Sequence, residues 1–293
     1  MRKIDRLDRM NVNKPRPLHR LKAKVSNRSL LDDQIALVTG ASSGIGKAVA
    51  IPLAEAGAHV VVNFFGSEKP ANDVVKTIKR LGRPAMPVSA DVSQEDQVQA
   101  MFRRVIDEFG TIDILVNNAG VQVDAPIDEM TLRQWSTVIN TNLTGQFLCS
   151  REAINEFKRR GVVNKVSSSA GKIIFISSVH EIIPWAGHAN YAASKGGVML
   201  LMKSIAQEVA AFRIQVNSIC PGAIRTPLNE SAWATPEAHS ALMKLVPYQR
   251  IGEPEEVGAV AAFLASDLAD YITGTSIYAD GGMMLYPGFE SGG

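Results

Sequence analysis

The sequence predicts an α/β fold: a single doubly wound domain on a seven-stranded parallel sheet. Three observations carry this. From residue 34 onward, short β-branched runs alternate with segments of helical length, as repeated βαβ units with helices on both sheet faces require. No linker-like stretch or internal repeat divides the series. The chain has 293 residues, 46% hydrophobic and 20% charged, enough to bury a sizeable core.

The first strand is expected at residues 35–38, followed by a glycine-containing turn and a helix over 46–56. Pro52 falls inside that helix and removes a backbone donor, so a kink or loosening is expected there. Strands at 59–63 and 86–90 and a helix over 94–109 follow. The fourth strand is placed at 112–116 and the fifth at 172–177. Residues 161–171 before the fifth strand are polar, Ser-rich and aperiodic, which reads as a surface loop. A helix over 194–209 precedes the last two strands, at 214–219 and 275–278.

The net charge of +2 hides an asymmetry. Residues 1–33 hold ten Lys/Arg and four Asp, a balance of +6 that leaves the body at −4. A mildly acidic body argues against nucleic-acid binding. The basic segment reads as a disordered N-terminal extension, with a targeting peptide or an arm for an anionic surface as alternatives. Asp5 and Asp8 count against a transit peptide. Cys149 and Cys220 are too few for a disulfide scaffold or a Cys-based zinc site, and no metal-ligand set is visible. No apolar run approaches the roughly 18 residues that span a bilayer, so no membrane role is expected and the compartment is read as reducing and cytoplasmic.

The first strand runs into Thr39-Gly40-Ala41-Ser42-Ser43-Gly44-Ile45-Gly46. Glycines there permit a tight turn and close backbone approach, and the following helix offers free N–H groups and positive dipole charge to a pyrophosphate. This is the arrangement of a Rossmann-type dinucleotide site. About 20 residues on, an acid would bind a ribose 2′-hydroxyl and an arginine a 2′-phosphate. The chain offers Asn63-Phe64-Phe65-Gly66-Ser67-Glu68-Lys69 instead. Asn63 and Ser67 suit a hydroxyl and Lys69 a phosphate, so NAD and NADP both remain open, with NAD slightly favoured.

Four residues separate Tyr191 from Lys195, which on a helix puts them on one face a turn apart. A phenol with a pKa of about 10 is a poor base near neutrality. A neighbouring ammonium, joined by an oxidised nicotinamide, is expected to lower that value and let Tyr191 exchange a proton with a substrate hydroxyl. Ser178, at the end of the fifth strand, is placed to orient the substrate oxygen.

With Ser178 13 residues before Tyr191, Asn117-Asn118-Ala119-Gly120 after the fourth strand, Asn142-Leu143, Pro221-Gly222 and the glycine loop in register, the chain resembles the short-chain dehydrogenase/reductase family from Asp33 to its end. The resemblance implies a catalytic set of Asn142, Ser178, Tyr191 and Lys195, with Asn142 holding a water that links Lys195 to solvent. It places Asp91 and Val92 near the adenine, Asn118, Ala119 and Gly120 along the cofactor, and Lys195 at the nicotinamide ribose. Pro221 and Gly222 close over the nicotinamide, and the Ile224 backbone and Thr226 hydroxyl contact its carboxamide. It further implies a homotetramer, pairing through the helices that hold residues 142–156 and 191–209, with the tail at 286–289 at a second interface.

Ser177-Ser178-Val179-His180-Glu181, Ile183-Pro184-Trp185 and Ala279-Asp280-Gly281-Gly282-Met283 are similar to bacterial glucose 1-dehydrogenases. By that likeness the substrate is an aldose oxidised at its anomeric hydroxyl to a lactone. His180 would bond a sugar hydroxyl, Trp185 would offer a platform to a ring face, and Gln122 stands where those enzymes carry a glutamate. A reductase of 3-oxoacyl thioesters is an alternative, with Lys158-Arg159-Arg160 as its basic surface for a carrier protein. Oxidation of a sterol or small alcohol stays open, because the variable segment 229–248 forms the lid. A non-catalytic cofactor sensor is the alternative of another class, opposed by the intact catalytic set.

Overall fold

The computed structural model describes residues 29–285. Its strands are β1 (Ile35–Val38), β2 (His59–Phe64), β3 (Ala85–Ser89), β4 (Ile114–Asn117), β5 (Gly171–Ile176), β6 (Ile214–Pro221) and β7 (Ser276–Ala279). They form one parallel sheet in the order β3-β2-β1-β4-β5-β6-β7. The helices are α1 (Gly44–Glu55), α2 (Glu68–Arg80), α3 (Glu95–Phe109), α4 (Leu132–Ile139), α5 (Gly145–Arg160), α6 (Ala189–Val209), α7 (Pro236–Met243) and α8 (Pro254–Ala265). The first strand lies where expected, and the edges of the others differ by no more than two residues. The sixth helix begins at Ala189 rather than at 194, so Tyr191 lies in its first turn.

Side chains alternate across each strand and feed two cores. Ala36 and Val38 of β1 pack with Val49 and Leu53 of α1, Val75 and Ile78 of α2, and Val257 and Leu264 of α8. Leu37 faces the other way, into a core with Met101 and Val105 of α3, Phe157 of α5 and Met202 of α6. β1 pairs with β2 on one side and β4 on the other, so the sheet changes its direction of growth there. Open α/β sheets bind ligands in the crevice that this switch leaves at the carboxyl ends of the strands.

Three expectations are corrected. α1 continues through Pro52 without a break. An Ala48 carbonyl freed by the missing proline donor faces Gly258 of α8, where an added Cβ would overlap that oxygen. The proline and the glycine thus bring two helices into backbone contact. Second, the serine-rich segment is only partly a surface loop, because Ser167, Ser168, Ser169 and Ala170 are all buried. Ser167 Oγ donates to Asp267 at 2.5 Å, Ser168 Oγ to Asp270 at 2.7 Å, and Ser169 Oγ to Gln215 at 2.6 Å. The buried Lys172 ammonium joins them, 3.3 Å from Asp267. Burial pushes the Asp267 carboxyl upward, but Lys172, Ser167 and the Ser168 N–H outweigh it and hold it at about 2.

Third, the extension does not reach residue 33. Leu31 is fully buried, its N–H donates to Ala56 at 2.7 Å, and Asp32 pairs with Arg83 at 3.1 Å. Residues 1–28 and the tail at 286–289 lie outside the described residues. Among the described residues no helix is long and apolar enough to cross a membrane, and no cluster of His, Cys, Asp and Glu is arranged to hold a metal ion.

Candidate active site

A cavity of about 1720 Å³ opens along the carboxyl edge of the sheet. Of the candidate cofactor and substrate residues, only Ser67 and Lys69 stand outside its lining; of the catalytic candidates, Asn142 does.

At its floor, Gly40 (φ +60°) and Gly44 (φ +51°) adopt the left-handed backbone that side chains resist. A Cβ on Gly46 would overlap both the Asn118 amide and the Gly40 carbonyl. Ser43 caps α1 without a side-chain bond, and the first turn carries no acid. The helix N-terminus therefore keeps N–H groups and positive dipole charge for an anion, and the cradle fits the pyrophosphate of a nicotinamide dinucleotide.

Polar side chains around the cradle are already committed. Asn118 Nδ2 donates to the carbonyls of Thr39 (2.8 Å) and Gly40 (3.1 Å). Thr39 Oγ1 accepts the N–H groups of Asn118 and Ala119, at 2.9 and 3.0 Å. Thr39 thus ties β1 to β4, a role its sequence position did not suggest. Asn63 is also spent: Oδ1 accepts from Gly40 N at 3.1 Å, and Nδ2 donates to Val88 and Ala90 at 3.2 and 3.1 Å. Only the second lone pair of Oδ1 is left for a ribose hydroxyl. Asp91 Oδ1 accepts from the Ser93 N–H and hydroxyl, and Val92 packs against Gly145. The Thr226 hydroxyl donates to Asn229 Oδ1 at 2.7 Å, while Asn229 Nδ2 donates to Ile224 O at 2.8 Å, so Asn229 shapes the segment expected over a carboxamide.

Ser178, Tyr191 and Lys195 come together beside the cradle. Ser178 caps the short turn after β5, with its hydroxyl beside the Tyr191 phenol. Lys195 Nζ lies 5.5 Å from the centre of the Tyr191 ring and donates to Ile176 O at 2.8 Å. Burial pushes Tyr191 up, with the Ser178 hydroxyl working against it. Burial also pushes Lys195 down to about 8, against the pull of Cys220 and Glu181. Desolvation penalises the charged form of both groups and is the largest influence on each. Asn142 sits in a π-helical turn behind them, with Oδ1 accepting from Val121 N and Nδ2 donating to Val121 O and Ser194 Oγ. Its side chain thus ties the loop after β4 to α6.

On the substrate side, Trp185 stacks on His180 at 4.2 Å and on His188 at 3.6 Å. Two rings this close to one indole must occupy opposite faces. The expected platform is corrected: both faces are covered, and Trp185 turns an edge to Tyr191. His188 Nε2 lies 3.2 Å from Asp124, which latches the stack to the loop after β4. His180 Nδ1 bonds Ile183 O at 3.0 Å, and burial pushes its pKa down, leaving Nε2 of the neutral ring as an acceptor. Gln122 lines the cavity nearby. The Lys158-Arg159-Arg160 run is committed elsewhere, with Arg159 on Glu156, Arg160 on Asp113 and Lys158 over the Phe212 ring.

A glycine cradle at the switch point, with a phenol and an ammonium beside it, defines a nicotinamide-dependent oxidoreductase acting on CH–OH groups. The family model described as enoyl-(acyl carrier protein) reductase matches residues 40–284. A 3beta-hydroxysteroid dehydrogenase 1 from Eggerthella lenta is 46% identical, over 89% of this chain and 98% of its own. Glucose 1-dehydrogenase 2 from Bacillus subtilis is 39% identical, over 88% and 97%. A gluconate 5-dehydrogenase from Burkholderia cenocepacia, solved with NADP and tartrate, superimposes with a TM-score of 0.81 at 35% identity, over 88% of this chain and 98% of that one. The chain belongs to the short-chain dehydrogenase/reductase family.

Proposed function

We propose that the protein interconverts a secondary alcohol on a largely apolar frame with its ketone, using NAD in preference to NADP. Tyr191 exchanges the proton with the substrate oxygen, which Ser178 orients through the hydroxyl that already meets the phenol. Bound in the cradle, the nicotinamide accepts hydride in oxidation and donates it in reduction. Lys195, in its charged form, favours the phenolate and borders the nicotinamide ribose. Asn142 holds the loop after β4 against α6 and, through its backbone, supplies the link from Lys195 to solvent.

The observation that carries the substrate class is the apolar share of the cavity lining outside the glycine cradle. Val121, Ile183, Pro184, Leu242, Leu245 and Met283 contribute to it, with the covered indole of Trp185 among them. Such a surface rewards apolar area and leaves most sugar hydroxyls unpaired. The hydroxysteroid relative, at 46% identity, agrees in kind. His180 and Gln122 favour the aldose as second reading, since each can bond a hydroxyl.

The test is cofactor turnover, with NAD and NADP separately, against a 3β-hydroxysteroid, glucose, simple secondary alcohols and a 3-oxoacyl thioester. Turnover of the steroid or of another apolar alcohol is expected, falling to near background in Tyr191→Phe while cofactor binding survives. Strong turnover of glucose alone would replace this reading with the aldose one. Full activity in Y191F would remove Tyr191 from the chemistry.

We further propose a homotetramer assembled through α5 and α6, whose outer faces expose Phe147 and Leu200.

A further inference from the structure

Behind the catalytic pair lies a buried acid that the mechanism above does not use. Glu181 is 6% exposed, three residues past Ser178. Its carboxylate accepts from the Ser177 hydroxyl at 2.7 Å and from the Tyr278 hydroxyl of β7 at 2.9 Å. A carboxyl taken out of water is costly, and a fold retains one where donors and a nearby cation offset the loss. The donors are these two hydroxyls. The nearby cation is Lys195: its Nζ holds the carbonyl of Ile176, the residue that precedes Ser177 in the chain. Gly196, the next residue of α6, closes against the Glu181 carbonyl, where a Cβ would stand 3.6 Å away.

We infer that Glu181 is a positioning residue for proton transfer: its buried carboxylate balances the Lys195 ammonium and so sets the pH range over which Tyr191 and Lys195 work. This goes beyond the substrate reading and rests only on Tyr191 and Lys195 as the proton-transfer pair.

The groups facing the pair leave Glu181 as the counter-charge. Tyr191 faces Lys195 from the same helix. Cys220 faces it from β6, but burial pushes that thiol up to about 12, so it is uncharged at neutral pH. Asp124 acts on the Tyr191 side and Asp280 on Tyr278, on the far side of the cluster. His180, on the same turn as Glu181, is kept neutral by burial. Burial brings Lys195 to about 8 despite the opposing pull of Cys220 and Glu181. Removing the Glu181 charge makes proton loss easier for Lys195, and so narrows the range in which its ammonium supports the Tyr191 phenolate.

Glu181→Gln keeps the shape and removes the charge. The alkaline limb of kcat/KM, where Lys195 loses its charge, should then move to lower pH, by about one unit. Titration of the Lys195 ammonium by NMR of lysine-labelled protein, with the signal assigned by Lys195→Met, should shift the same way and needs no substrate. Tyr278→Phe removes a donor but not the charge, so it should lower Tm and leave both curves in place; Glu181→Asp should restore the wild-type profile. If E181Q does not fold, the E181M/Y278F pair, which removes the acid and a donor together, carries the same titration. Superimposable curves for the charge-removing variant and wild type, with only Tm lowered, would make Glu181 a structural residue and overturn the inference. Loss of the Y191F effect would instead overturn the catalytic reading beneath it.

Discussion

At the end of β2 a phenyl ring stands where a cation is needed to receive a ribose 2′-phosphate. Phe65 is 73% exposed and lines the cavity, while the neighbouring Asn63 is buried and spent on backbone groups. Phe65→Arg should raise the ratio of kcat/KM for NADP over NAD about tenfold, the worth of one charge-assisted hydrogen bond at a half-wet site. An unchanged ratio would show that the choice is made elsewhere. Residues whose meaning is local were legible before folding. Tyr191 and Lys195 meet because four positions make one helical turn, and the glycines of the cradle sit at the turn that needs them. Trp185 was misread because its partners, His180 and His188, reach it only when the chain loops back on itself.

The tie between the serine segment before β5 and the turn after α8 gives a pH prediction at the scale of elements. Asp267 has a folded pKa of about 2, below its ordinary 3.8. Its contribution to stability is therefore fully present above the unfolded value and is lost as pH falls from about 4 through about 2. Thermal unfolding followed across that window should show a steep loss in the wild type and a shallower one in Asp267→Asn, which begins from a lower Tm. Parallel curves would sink the assignment. The segment's burial was invisible in the sequence because Ser167 and Asp267 are 100 positions apart, and serines with no visible partner read as loop. The strands themselves were legible from β-branched runs. Their edges were not, because a strand ends where its neighbour stops pairing.

For the whole molecule, assembly is the open quantity that one measurement decides. Phe147 and Leu200 are exposed on the faces of α5 and α6, and Phe263 and Tyr271 are exposed at and beyond α8. Apolar groups at two separate places are what a particle with two kinds of interface presents. Light scattering at micromolar concentration should give four times the chain mass; a monomer would remove the proposal. The order of the sheet has its own consequence for how the protein is made. β1 emerges early in biosynthesis and finds β2, to whose far side β3 adds, but its other neighbour, β4, comes off the ribosome only after α3. Until then the future centre of the sheet is an open edge, apolar on both faces and free to pair wrongly. The interval of greatest aggregation risk thus falls midway through synthesis, and it closes when Asn118 arrives to meet Thr39, the same event that completes the nucleotide cradle.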